Sequence, residues 1–296
     1  MALRRVDGVF AIDRLTIGYL GLTGLWALAL GGGGGALVAA VHLLACLAIH
    51  NLRRFAPDRG LAEFLRVGYP VLAMPVLYAE LATLNRYLTP RFFDQTVIAW
   101  DRAIFRLQPS MDLSGALPWF PLSEGLHLGY MGYYLLMPAA LIGAYLATGR
   151  AGLHRTVFTL MATFYVCYAI FIVFPVAGPR YAFEPIRGTI SEGSLYHMVH
   201  AILESGSSKG TAFPSSHVAA SLAAVLGVAR EDRRWWWALL VPEIALIVGT
   251  VYGRFHYGID ALVGLVIGVL VWVTTPAMIG VLAGRQPGRA SGYQTK

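Results

Sequence analysis

Charge is what this sequence has least of. Only 13% of its 296 residues are Asp, Glu, Lys or Arg, where a soluble domain carries roughly 25%. An ordinary water-soluble globular domain is therefore excluded. Cysteine is almost absent: Cys46 and Cys167 are the two. Both fall inside apolar runs, so no disulfide joins them and the redox compartment cannot be read from them. Acidic residues are the scarcer charge, 16 against 23 basic, for a net +7. That excess does not argue for nucleic acid, because the basic residues sit mainly in short loops between apolar runs, as membrane topology demands. There is no internal repeat and no second domain. No cleavable signal peptide is evident; "MALRRVDGVFAIDR" reads as a polar lead-in to a first span kept as an anchor.

What is abundant is apolar sequence. Hydrophobic residues make up 57%, and several runs reach the ~20 residues needed to cross a bilayer. The fold class expected is all-α: a polytopic transmembrane helix bundle of about eight spans, forming one integral-membrane domain over 1–296. The spans lie near 15–31, 36–52, 67–86, 124–147, 154–175, 214–229, 235–252 and 257–282. Thirty-three glycines suit helix contacts in lipid, and "GGGGG" at 31–35 reads as a tight connection. The segment 88–121 is too polar to span and reads as an amphipathic piece at the membrane surface. A solvated loop, or a lid over a lipid-entry route, is the other reading.

Arginine placement sets the orientation. Arg4, Arg5 and Arg14 precede the first span; Arg53, Arg54 and Arg59 follow the second. Arg150 and Arg155 join the fourth to the fifth, and Arg230, Arg233 and Arg234 the sixth to the seventh. Arg285, Arg289 and Lys296 close the chain. With eight spans all these fall on one side, which should be the cytoplasm. The arginines of 88–121 fall on the other side, but Asp94, Asp101 and Asp112 accompany them. Trp235, Trp236 and Trp237 suit an interfacial belt. Loop 176–213 and turn 253–257 then share the extracytoplasmic face.

Ionisable groups gather there, at the mouths of two apolar helices. In "AFPSSH", Pro214 suits the first turn of a helix. Ser215, Ser216 and His217 follow, with free N–H groups at the positive end of the helix dipole, a natural phosphate site. A serine cap with an incidental histidine is the plainer reading. In "GRFHYGID", His256 and Asp260 are four apart and share a helix face. A carboxylate there can take the N–H of one ring nitrogen and leave the other bare and nucleophilic. A self-satisfied buried pair is the alternative, although ionisable groups in membrane helices are costly and default to function. "FPVAGPRYAFEP" places Arg180 just outside the fifth span, and its planar fork suits a phosphate.

Together these three stretches resemble the type-2 phosphatidic acid phosphatase superfamily of lipid phosphatases and phosphotransferases, whose pattern is K-x6-R-P, then P-S-G-H, then S-R-x5-H-x3-D. "PSSH" at 214–217 matches three of four positions, and "HYGID" supplies H-x3-D in full. The resemblance covers about 120–282, the expected catalytic core. It implies that His256 is the nucleophile, forming a phosphohistidine, that Asp260 orients it, and that His217 protonates the leaving oxygen. Arg180, Ser215 and the backbone at Ser216 and His217 would cradle the phosphate. It implies no metal and no cofactor, a lipid phosphate as substrate, and the bilayer as environment.

The departures are specific. Val173 stands where the pattern has lysine, Tyr181 for proline, Ser216 for glycine and Thr250 for arginine. Arg254 and Lys209 are candidate replacements for the two missing cations, with Arg187 behind them. "FPVAGPRY", "FPSSHVA" and "TVYGRFHYGID" look closer to the inositol phosphorylceramide synthase branch, which lacks the lysine and passes a phosphorylated head group between lipids. Outside the motifs, Glu80 and Glu243 read as proton-relay groups or as partners of a neighbouring helix. His127, Tyr130, Tyr133 and Tyr134 form a stripe that lines a head-group pocket or bonds helices together. Two other classes stay open: a transporter or scramblase with a polar midplane site, and a zinc site from His217, His256 and Asp260.

Overall fold

A computed structural model of the protein describes residues 5–52 and 60–283. Thirteen α-helices run in order: α1 (Arg5–Leu30), α2 (Gly32–Leu52), α3 (Gly60–Leu88), α4 (Asp94–Phe105), α5 (Pro109–Ala116), α6 (Phe120–Met131), α7 (Tyr133–Thr148), α8 (Arg150–Val173), α9 (Pro179–Ala182), α10 (Ser194–Gly206), α11 (Ser216–Glu231), α12 (Arg234–Tyr252) and α13 (Gly258–Leu282). There is no strand among the described residues, so the all-α polytopic bundle is observed.

Each expected span falls on a helix, the fourth on the pair α6–α7, which bends by 47° at Gly132. Five helices (α2, α3, α8, α12 and α13) are long and apolar enough to cross a membrane by themselves, and α6–α7 makes a sixth. The other two expected spans fall short. α11 has 16 residues, about 24 Å of helix against a ~30 Å hydrocarbon core. α1 carries Asp13 and Arg14 in its length. The glycine run is less of a loop than expected. Gly31 alone separates α1 from α2, and its N–H still bonds to Ala27 O at 2.8 Å.

α8 is the centre of the bundle. It is buried along most of its length and touches α1, α3, α7, α11 and α13. At one end of the bundle lie the arginines between spans. Arg150 pairs with Glu63 at 2.8 Å, Arg155 Nε bonds to Glu231 at 2.8 Å, and Arg66 binds Asp13 through both nitrogens. Arg4, Arg53, Arg54, Arg59, Arg285, Arg289 and Lys296 lie outside the described residues. The opposite end gathers the C-termini of α8 and α12 and the N-termini of α11 and α13, so the motif residues meet there.

What brings the last two together is small-residue packing. Gly264 and Gly268, four apart on α13, face α11. A Cβ at Gly264 would stand 2.6 Å from Ser215 O, and one at Gly268 2.7 Å from Ala219 O. Only glycine permits such an approach of two backbones, as in other small-xxx-small contacts. The free cysteines remain apart, Cys46 on α2 and Cys167 on α8. Gly268→Ala is expected to lower stability by about 1–3 kcal/mol through forced separation of α11 and α13. A thermal melt in detergent reads this, and an unchanged Tm would refute the contact.

Candidate active site

Three short connections form the site. Loop 174–178 and loop 208–213 run side by side: Val176 N–H donates to Gly210 O at 3.3 Å, and Ala212 N–H to Val176 O at 3.0 Å. Ser215 N–H donates to Asp260 O at 2.9 Å and ties the mouth of α11 to the first turn of α13. The third connection, 253–257, folds back so that Phe255 and His256 N–H both reach Thr250 O at 3.1 Å. Backbone bonds thus hold Arg180, His217 and His256 around one cleft of about 40 Å³, lined also by Tyr78, Tyr130 and Thr211.

His256 is buried, and its Nδ1–H donates to Ala212 O at 2.7 Å. That bond fixes the tautomer and leaves Nε2 without a proton. The expected carboxylate partner is present but displaced. Asp260 Oδ2 is 3.5 Å from Nδ1 and accepts Tyr257 N–H at 2.8 Å. The reason is local: Asp260 is the third residue of α13, where a carboxylate caps the free N–H groups of its own helix. A carbonyl therefore does the bonding that the spacing suggested for the acid, with the same consequence for the ring. Burial pushes the His256 pKa down to about 4, the Arg180 charge adds to this, and the Ala212 bond opposes it. The imidazole is consequently a free base at neutral pH.

His217 is the second residue of α11. Its ring lies beside Tyr130 and Tyr133, at 5.2 and 4.5 Å between centroids, and faces His256 at 5.8 Å. Nε2 is 3.5 Å from Tyr130 Oη, while Nδ1 is buried without a hydrogen bond. Arg180 belongs to the single turn α9. Its Nη2 donates to Tyr181 Oη, to Ser207 Oγ and, at 3.3 Å, to Leu203 O. The guanidinium is thereby anchored to the end of α10 while it lines the cleft.

The other candidates are not brought to the cleft. Ser215 is fully buried, and its Oγ accepts Val218 N–H at 3.4 Å as the cap of α11. Ser216 is buried behind it. Pro214 precedes the cap instead of filling the first helical turn, and its bond to Phe213 is cis. Arg254 sits in the left-handed region, φ 59°, and turns away to Glu184 O and, at 3.4 Å, Ser114 Oγ. Lys209 is exposed, its ammonium 5.1 Å from the Phe92 ring and 5.0 Å from the Tyr181 ring. Arg187 pairs with Glu184 on the surface at 3.0 Å.

Glu80 finds a partner on a neighbouring helix, His42 on α2, at 3.0 Å. Glu243 accepts from Ser221 on α11 at 2.9 Å. Of the aromatic stripe, Tyr130 lines the cleft and Tyr133 lies against the His217 ring, tilted by 56°. Tyr134 is exposed, and His127 bonds its own helix through Ser123 O at 2.6 Å. Tyr78 and Thr211, bonded to each other at 2.8 Å, belong to no motif, and no sequence signal marks them. Among the described residues no group of three His, Cys, Asp or Glu side chains is placed to hold a metal ion.

Fold and site together define a helical membrane protein with two facing histidines and an arginine at one end of the bundle. The chain belongs to the PAP2 superfamily: that family's model matches residues 95–274. Membership supports a phosphatase or phosphotransferase kind of function. The match takes in α4 and α5 as well as the motif helices. No curated protein and no solved structure matches the chain.

Selective labelling of histidine should show one imidazole, absent from His256→Ala, that titrates by NMR near pH 4 and not near the ordinary ~6.5. Titration at the ordinary value would mean that water reaches the ring and that the cleft is more open than described.

Proposed function

We propose that the protein is an integral-membrane enzyme that cleaves or transfers the phosphate of a lipid through a phosphohistidine, at the extracytoplasmic face of the cell membrane. The observation that carries this reading is the bare Nε2 of His256 facing His217 across a cleft that Arg180 also lines. His256 Nε2 attacks phosphorus as the bond to the lipid oxygen breaks. His217, entering as the imidazolium, gives its proton to that oxygen. Water or an alcohol then attacks the phosphohistidine, losing its proton to His217, and His256 is released. Arg180 and the backbone N–H groups of Ser216 and His217 neutralise the phosphoryl oxygens as charge develops on them. No metal is required by this scheme. Asp260, beside His256 at 3.5 Å, stabilises the charge that the ring acquires on attack.

Sidedness rests on the arginine-rich end of the bundle lying opposite the site. Water as acceptor makes the enzyme a phosphatase. A lipid alcohol makes it a head-group transferase of the inositol phosphorylceramide synthase type.

The test uses the purified protein in detergent with EDTA, offered phosphatidic acid, polyprenyl phosphates and diphosphates, and phosphatidylinositol with ceramide or diacylglycerol. Wild type should release phosphate or form a new phospholipid, and His256→Ala should do neither. His217→Ala should lose about 100–10,000-fold on lipid esters but far less on an aryl phosphate, whose leaving group needs no proton. Equal activity of wild type and His256→Ala would remove the nucleophile, and loss of all activity to EDTA would replace the scheme with a metal-dependent one.

A further inference from the structure

The segment 88–121 does more than cover the membrane surface. α4 is amphipathic, and its apolar face packs Val97 and Ile98 against Val176, Ala212, Tyr257 and Ile259 of the site loops. Two carboxylates interrupt that face seven residues apart, two helical turns along one side. Asp101 is fully buried and Asp94 half-buried, and both carboxylates are turned to backbone N–H groups.

Asp94 takes the loop that precedes Arg180. Its Oδ2 accepts Ala177 N–H at 2.9 Å and its Oδ1 accepts Gly178 N–H at 2.8 Å. The same Oδ1 accepts the hydroxyl of Tyr257 at 2.9 Å, the residue after His256. Asp101 is fully buried and takes the other side. Its Oδ1 accepts Ile259 N–H at 2.7 Å, and its Oδ2 accepts Gly258 N–H at 3.0 Å and Gln108 Nε2 at 2.8 Å. Gly258 and Ile259 open α13, where N–H groups lack intrahelical acceptors. One helix thus holds four backbone N–H groups from the two loops that carry Arg180 and His256.

We infer that Asp94 and Asp101 are positioning residues: two carboxylates on one face of α4 that set the spacing between the phosphate-binding arginine and the nucleophilic histidine. The inference rests on the proposed reading of Arg180 and His256. Neither acid touches the cleft, so each acts through the backbone it holds. The backbone bonds of the site link these two loops through 208–215, and α4 adds a direct tie between them, where the phosphoryl group must meet both at once. Charge-assisted bonds to N–H groups are the strong kind available for such a fixture. Asp94 alone reaches both loops, through its two oxygens and the Tyr257 hydroxyl.

The experiment compares Asp94→Asn with wild type by hydrogen exchange and by a double-mutant cycle. Asn replaces one carboxylate oxygen with an NH2 group, which meets a backbone N–H as donor against donor. Exchange should quicken in both 174–180 and 254–262, with Tm little changed. kcat/KM on the lipid phosphate that wild type turns over should fall about 10–100-fold, the scale of a misplaced reacting group. In the Arg180→Ala background the same change should cost less than about 3-fold, since the arginine it positions is gone. Tyr257→Phe, which removes only the bridging hydroxyl, should show the same pattern more weakly and covers the case in which Asp94→Asn does not fold. Exchange altered in one loop only, or in neither, overturns the inference, as does an equal loss in both backgrounds. If wild type turns over none of the lipid phosphates, the functional reading fails, and the exchange measurement alone decides whether Asp94 joins the loops.

Discussion

The site depends on a backbone contact. α11 and α13 approach so closely that Ser215 O and Ala219 O lie where side chains at Gly264 and Gly268 would be. In lipid no hydrophobic effect drives helices together, so packing of this kind decides which helices touch. The contact aligns the mouths of the two helices, and the bond from Ser215 N–H to Asp260 O locks their register. His217 and His256 then face each other because each stands within a few residues of that lock.

Burial gives the second constraint. The polar groups at the site are taken out of water, and each must be answered internally. The answers come mostly from backbone: Ala212 O for the His256 ring, Thr250 O for the turn, and Leu203 O with Ser207 for Arg180. Using carbonyls leaves Asp260 free of a direct bond to the ring. Its Oδ1 is buried and unpaired, a costly state for a carboxylate. A positive charge on His256 lowers that cost. In the proposed mechanism the site would be least satisfied when the histidine is neutral and better satisfied once the ring has attacked, the direction in which an active site stores free energy for its transition state.

Much of this was legible in the sequence because motifs encode local geometry. His256 precedes α13 by two residues and Asp260 is in its first turn, so the shared helix face that the spacing suggested is replaced by a turn, yet the two stay close; Ser215 and His217 share the mouth of α11, so neither proximity needed tertiary knowledge. The apolar runs likewise mark helices, though Asp13 in α1 and the 16 residues of α11 show that a run and a full span differ. Illegible were contacts set by chain reversal. Arg254 lies two residues from His256, yet its left-handed backbone directs the side chain towards α5, and nothing short of the turn's dihedrals reveals that. Lys209 is near Arg180 in space but rests on aromatic faces. Asp94 and Asp101 sit some eighty residues or more from the loops they hold, and the acids of 88–121 read as surface charge.

Arg254 is turned elsewhere and Lys209 stays at the rim, 5.0 Å from the Tyr181 ring, so Arg180 is the cation that lines the cleft itself. A phosphate monoester brings about two negative charges, more than one arginine balances. The remainder must come from groups that change state on binding. An anion beside an imidazole favours the imidazolium, and His217 has an unpaired Nδ1 and no carboxylate within bonding distance to satisfy a proton beforehand. In the proposed mechanism the substrate's own charge would then be what protonates His217. Such a site discriminates by charge state: a phosphodiester, with one negative charge, is balanced by Arg180 alone and provides a weaker pull on the His217 proton. Cleavage of a monoester and transfer of a diester head group accordingly place different demands on the same two histidines.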